Sequence, residues 1–274
     1  MKRIATIILN RNLPEVTDQL YEHIAKFDGD LTDIYIVEAG SDEKNLSFHT
    51  TWHLNTPEVM QNGLRYGRGM NFGLIQLVNL GKFEKYDAFF LLTNDTEFKA
   101  SQTLAPLVDL LDKHPRVGIL SPCSERWGER LLLQKEQTKY FWFIHNNAYL
   151  LRREFIETIC NKDQPNIMDF LFDGTNFRGY GCEHEIIAKA YANDWAAAIT
   201  SDVWASENES HLIDYADKIK TQGFEVNLKL YIEEGRYWMR KKYGFNSHWS
   251  MQQYVKSFYD KFFEFHPECS QYKV

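Results

Sequence analysis

Two acids, Asp95 and Glu97, follow the apolar run in FFLLTNDTEF, with Asn94 in front of them. Burying an unpaired carboxylate costs roughly several kcal/mol. At the mouth of a core strand, such acids suit a divalent cation. Mg2+ and Mn2+ prefer hard oxygen ligands and need only one or two carboxylates when phosphates supply the rest. On an extended backbone Thr93, Asp95 and Glu97 would share one side. An Asn-Asp turn followed by a solvated Glu is the plainer alternative. A second acidic stretch, GYGCEHEI, sets Glu183, His184 and Glu185 behind a glycine-aromatic loop. It reads as a helix start, where backbone N–H groups stabilise a carboxylate. A carboxylate or imidazole placed there can take the proton of an attacking hydroxyl.

Other polar residues fall at the ends of apolar runs. Asn10 and Asn12 lie in LNRN, and Glu38 lies in VEAGS. Arg68 and Asn71 lie in GRGMNFG, which reads as a glycine-rich turn leading into a helix. The asparagines can donate to and accept from a nucleobase. Arg68 has the chemistry of a diphosphate clamp. His211 lies just past a late apolar run and could complete a metal shell.

These residues need a scaffold that brings strand ends together. RIATIILN, DIYIVEAGS, YDAFFLLTND and RVGILSP read as buried strands. Between them lie helical patterns: one opened by Pro14 and closed by Gly29, one running to Gly81, and one capped by Ser101. Alternating strands and helices predict an α/β fold, with a Rossmann-like, mostly parallel central sheet flanked by helices. In such sheets ligands bind outside the carboxyl ends of the strands. Residues 1–122 read as a nucleotide-binding half and 123–207 as an acceptor half of one domain, 1–207. Residues 208–274 read as a helical C-terminal extension.

The ordered motifs resemble the family 2 glycosyltransferases of the GT-A fold. LNRN is similar to their Asn-x-Asn strand end, and VEAGS to Val-Asp-Asn-Gly-Ser. RYGRGMNFGL is similar to their Asn-x-Gly-x-Ala-x-Ala-Asn-x-Gly segment. LTNDT resembles the Leu-Asn-x-Asp-Thr metal site, and GYGCEHEI the acidic stretch that opens a later helix. The resemblance spans residues 3–205. It implies that Asp95 is the metal-binding acid of an Asp-x-Asp motif, with Thr93 where the first Asp often stands. Glu97 and His211 are further metal candidates. Glu38 matches an Asp that contacts base or ribose, with one extra methylene. Asn10, Asn12, Arg68, Asn71 and Asn94 join it as nucleotide-binding candidates. The helix register makes Glu183 the general base, whereas the glycine register selects His184, and Glu185 is a further candidate. The implied activity is inverting, Mn2+- or Mg2+-dependent transfer of a hexosyl group in polysaccharide biosynthesis. The donor would be a nucleotide-diphosphate sugar and the acceptor a glycan or lipid-linked hydroxyl. The rivals are a retaining GT-A transferase, a GT-A-like binding domain without turnover, and a nucleotidyltransferase. The last usually carries a longer phosphate loop than LNRNLPEV.

Composition narrows the partners. The 274 residues carry 31 basic and 38 acidic side chains, a net charge of −7, which disfavours nucleic acid. No apolar run nears the roughly 18 residues of a membrane span. The start, MKRIATIILN, reads as a first strand rather than a signal peptide. Four scattered cysteines suit a reduced, cytoplasmic setting, with peripheral membrane attachment as a variant. Aromatics make up 15% of the chain, and Trp127, Trp142, Tyr180 and Trp204 are candidates for stacking on sugars. The basic run RYWMRKKYGF reads as a solvated helix face.

Overall fold

A computed structural model describes residues 3–145, 147–161, 163–208 and 210–274, leaving the side chains of His211 and Leu212 outside the description. The strands are β1 (Ile4–Asn10), β2 (Thr32–Ala39), β3 (Thr50–Leu54), β4 (Ala88–Thr93), β5 (Thr96–Phe98), β6 (Val117–Ser124), β7 (Thr138–Tyr140), β8 (Ala148–Arg152) and β9 (Ala196–Glu207). The helices are α1 (Pro14–Asp28), α2 (Pro57–Asn62), α3 (Arg65–Asn79), α4 (Leu104–Lys113), α5 (Arg153–Ile159), α6 (Cys182–Ala192), α7 (Ser210–Asp214), α8 (Phe224–Tyr243) and α9 (His248–Phe265). No described helix is long and apolar enough to cross a membrane.

One sheet runs β3-β2-β1-β4-β8-β6-β9-β5, and β7 pairs with β9 beside this path. Its first four strands are mutually parallel. β8 is antiparallel to both β4 and β6. β9 runs parallel to β6 but antiparallel to β5 and β7. The parallel half therefore carries the strand ends that a ligand would use, and the long β9 curls the other half round. Ile4, Ile7 and Ile8 of β1 and Phe89 to Leu92 of β4 are fully buried. Each such side chain gains about 1.5–3 kcal/mol over exposure. This explains why these runs lack the polar alternation of a half-exposed strand.

Two local expectations fail for identifiable reasons. The glycines of GRGMNFG do not form a turn, because α3 already begins at Arg65 and contains them. A Cβ at Gly69 would stand 2.4 Å from Leu9 Cδ1, and one at Gly73 would stand 2.9 Å from Ile7 Cγ2. The glycines serve close packing of α3 on β1, and Arg68 and Asn71 are helical residues. The cap of α4 is also not Ser101. The helix begins at Leu104, and the buried Asp28 accepts from Thr103 N at 3.0 Å and Leu104 N at 3.1 Å. A carboxylate from the end of α1 reaches these amides directly, which spacing within the α4 segment could not reveal.

Asp28→Ala would leave these buried amides without their acceptor. The expected loss is about 1–3 kcal/mol of unfolding free energy, read from urea denaturation. An unchanged midpoint would contradict the capping role.

Candidate functional site

The parallel register sets Asn10 beside Glu38 and Leu9 beside Thr93, so the ends of β1, β2 and β4 meet. Asn10 Nδ2 donates to Glu38 Oε2 at 2.9 Å. Its Oδ1 accepts from Leu13 N at 3.2 Å and Asn94 Nδ2 at 3.0 Å. Glu38 is fully buried and also accepts from Ser41 Oγ, from Ser47 N at 2.9 Å and from Thr50 Oγ1 at 3.0 Å. Four neutral donors therefore hold one carboxylate, and they fix the loop that follows β2. Asn12 adopts φ 58°, a left-handed conformation that Asn tolerates better than most residues. Its Oδ1 accepts from Asp42 N at 2.8 Å, and its Nδ2 donates to the Lys218 carbonyl at 2.8 Å.

That last bond ties down a strap, residues 215–222, across the strand ends. Lys220 pairs with Asp42 at 2.6 Å, Lys218 with Glu15 at 3.2 Å, and Arg65 donates to Thr221 Oγ1 at 2.8 Å. Asn10, Asn12, Glu38 and Asn94 thus come together as the sequence suggests. Arg68 and Asn71 are committed elsewhere. Arg68 Nε donates to the Gly174 carbonyl at 2.8 Å, and its guanidinium lies over Phe177. The buried Asn71 accepts from Leu171 N and Phe172 N and donates to the Ile167 and Phe172 carbonyls. Both residues pin the loop before α6.

Asp95 lies in the Asn94–Asp95 turn between β4 and β5, half-buried. Its carbonyl accepts from Asn208 N at 2.9 Å, which ties the turn to the end of β9. The turn interrupts the extended backbone that would have set Thr93, Asp95 and Glu97 on one side. Thr93 Oγ1 instead meets Thr96 Oγ1 at 3.1 Å. Glu97 sits exposed on β5, accepts from Asn208 Nδ2 at 2.7 Å, and lines a groove with Val16 and His23 of α1. A hard cation bound chiefly through diphosphate oxygens needs one or two protein carboxylates, and Asp95 matches that donor type. The side chain of His211 lies outside the described residues.

The acidic stretch is buried. Gly181 takes φ 85° and turns the chain into α6, so that Glu183, His184 and Glu185 occupy its first turn. All three side chains are buried. Glu185 accepts from Lys242 Nζ and Tyr243 OH, both at 2.6 Å, and so locks α8 onto α6. Glu183 faces two imidazoles instead. His184 Nδ1 lies 3.0 Å from its Oε1, and His248 Nε2 lies 4.0 Å away. Burial would raise the Glu183 carboxyl. Attraction from His184, contacts with both imidazoles and a backbone N–H outweigh it and hold the carboxyl below its ordinary range. The His184 contact lies off the N–H direction. Neither ring nitrogen of His184, nor Nε2 of His248, makes an aligned hydrogen bond.

His248, the first residue of α9, is the residue that sequence reasoning missed. No motif or spacing links it to Glu183. Tyr180 stacks on it at 4.8 Å, and Phe143 packs 5.0 Å from His184. A second pair also escaped notice: His145 Nδ1 lies 2.8 Å from the buried Glu129 Oε2, and Trp127 stacks on His145 at 4.0 Å. The loop before α6 is clamped by α8. Asp173 Oδ2 accepts from Lys242 Nζ at 2.6 Å and Trp238 Nε1 at 2.9 Å. Arg178 donates to Glu234 at 3.0 Å, and Gly235 seats against Tyr180, where a Cβ would stand 2.4 Å from its Cβ.

Solved structures share this fold. The mannosyltransferase PcManGT of Pyrobaculum calidifontis, in complex with GDP-Man and Mn2+, superposes with a TM-score of 0.55 at 14% identity. That match covers 94% of this chain and 74% of the other. S. aureus TarS residues 1–349 gives a TM-score of 0.53 at 13% identity, covering 88% and 73% of the two chains. GalNAc-T7 with UDP, GalNAc and Mn2+ gives 0.59 at 10% identity, covering 99% of this chain and 59% of its own. The fold is the GT-A fold of glycosyltransferases. Identities this low establish the fold alone. No family model matches the chain, and no curated protein matches it.

Within this GT-A chain the clamp carries a pH signature. Burial would raise the Asp173 carboxyl, but Lys242, Thr175 and Trp238 hold it far below the usual carboxylate range. A depressed carboxyl contributes stability that is present above its unfolded pKa, about 3.9, and lost as pH falls toward the folded one. Asp173→Asn should therefore flatten the decline of unfolding free energy below about pH 5. Equal slopes in the two proteins, measured by denaturation at several pH values, would show that the pair is not coupled to folding.

Proposed function

We propose that the chain is an inverting, metal-dependent glycosyltransferase. It moves a sugar from a nucleoside diphosphate donor to a hydroxyl of a glycan or lipid-linked acceptor. The observation that carries this reading is Glu183, a buried carboxylate at the start of α6 beside His184 and His248. Its three-dimensional setting joins a GT-A sheet whose strand ends cluster Asn10, Asn12, Glu38 and Asn94.

The donor nucleotide lies at the ends of β1, β2 and β4. Glu38 acts there through shape, holding Asn10 and the 41–50 loop while its own lone pairs stay on the protein. Asp95 would hold the cation, with Glu97 and His211 as further candidates. A bound Mn2+ or Mg2+ supplies neutralisation of the charge on the leaving diphosphate. The acceptor hydroxyl enters beside Tyr180 and α6. Its oxygen forms the new bond to the anomeric carbon as the bond to the diphosphate oxygen breaks. The hydroxyl proton passes to Glu183. A carboxylate with a depressed pKa is a weak base alone, and the His248 imidazole beside it can take the proton onward. One base and one displacement invert the anomeric centre. Glu185 is bound to Lys242 and Tyr243 and serves as a positioning residue.

Glu183→Gln keeps the shape but cannot accept a proton. The expected result is a fall in kcat of about 10²- to 10⁴-fold with donor affinity nearly unchanged. The wild-type product should carry the anomeric configuration opposite to the donor. Retention of configuration, seen by NMR, would favour the retaining mechanism and remove the base role. Nucleotide binding with neither transfer nor hydrolysis of UDP- and GDP-sugars would favour the binding domain.

A further inference from the structure

Among the described residues, Glu183, His184 and His248 bring three ligand atoms within 4.8 Å of one another. His184 is completely buried, and neither of its ring nitrogens makes an aligned hydrogen bond, although Nδ1 lies 3.0 Å from Glu183 Oε1. The buried His248 Nε2 lacks one as well. An unsatisfied buried polar group costs about 1–3 kcal/mol, so a cluster of three calls for a partner. The two imidazole rings stand edge to face, 4.3 Å apart. Phe143 and Tyr180 pack against them and hold them in place.

We propose that this triad binds a borderline divalent cation of the Zn2+ kind, and that its occupancy switches transfer off by engaging the Glu183 carboxylate. Two imidazoles and one carboxylate suit Zn2+, whereas Mg2+ and Mn2+ prefer oxygen sets such as Asp95 with a diphosphate. Ligands of a tetrahedral Zn2+ bound at about 2.0–2.1 Å stand roughly 3.3 Å apart. The contacts of 3.0 and 4.0 Å around Glu183 bracket that spacing, and all three ligand atoms lie within 4.8 Å of one another. The His248 side chain is 26% exposed, so the triad lies one side chain below the surface. A fourth position would remain for water or for the acceptor hydroxyl. The inhibitory half rests on the reading of Glu183 as the base; the binding half does not.

The test uses the metal alone. Zn2+ affinity is measured by competition with a chromophoric chelator, and Co2+ is followed by its visible absorption. Wild-type protein should bind one equivalent of Zn2+, and a large excess of Mg2+ should not displace it. Loss of an outer partner already weakens metal sites about 10–100-fold, so His248→Gln, a first ligand, should lose at least about 100-fold. Asp95→Ala should retain the site. Circular dichroism confirms that the variants are folded, and the Co2+ spectrum of wild type reports imidazole ligation independently of them. Equal Zn2+ affinity in wild type and folded His248→Gln would overturn the site, as would its loss in Asp95→Ala. Undiminished transfer with Zn2+ saturating the triad would overturn the inhibitory half. A Zn2+-free protein that transfers no sugar when Mn2+ is supplied fails the functional reading instead, and the Zn2+ titration still decides the site.

Discussion

A charge removed from water must be compensated, and this constraint shapes the molecule around three buried carboxylates. Glu38 is compensated by four neutral donors from Asn10 and the loop after β2. Glu185 is compensated by the Lys242 ammonium and the Tyr243 hydroxyl. Among the described side chains, the charge-bearing partners of Glu183 are the imidazoles of His184 and His248. The first two solutions are closed and build structure. The third leaves a carboxylate whose partners can exchange protons or share a cation. In the proposed function, what separates Glu183 from the two structural acids is its partners, since all three are buried.

The same constraint explains why the C-terminal helices belong to the site. Lys242 and Tyr243 end α8, and His248 opens α9. Without them Glu185 would be a buried acid with too few donors, and the half-buried Asp173 would keep only those of Thr175. Buried pairs of this kind are costly to break from one side. The strap over the strand ends follows a similar logic at the other end of the cleft, where Asn12 holds the Lys218 carbonyl and Lys220 holds Asp42. Both halves of the candidate site are therefore completed by residues beyond β9.

Much of this was legible from residue order. The runs ending at Asn10, Glu38 and Thr93 are continuous and apolar because parallel strands are buried on both faces, and this places their polar ends together. The glycine preceding Glu183 marks the start of α6. What remained hidden depends on contacts between distant segments. Gly69 and Gly73 look like a turn until β1 is seen packed against α3. Asp28 caps a helix far along the chain. His248 carries no signal of its own, because a lone histidine in an aromatic helix has no spacing to read. Arg68 and Asn71 have the chemistry for phosphate and base, yet their bonds go to the loop before α6.

The claim on which the functional reading turns is that the ends of β1, β2 and β4 bind a nucleoside diphosphate through a cation at Asp95. Calorimetric titration of UDP and of GDP, with Mn2+ and with EDTA, bears on it most directly. One nucleotide should bind at least about tenfold more tightly with Mn2+, a difference of roughly 1.4 kcal/mol, and Asp95→Ala should erase that difference while the protein stays folded. Equal affinity with Mn2+ and EDTA in the wild type, or a Mn2+ effect that survives in Asp95→Ala, would contradict it.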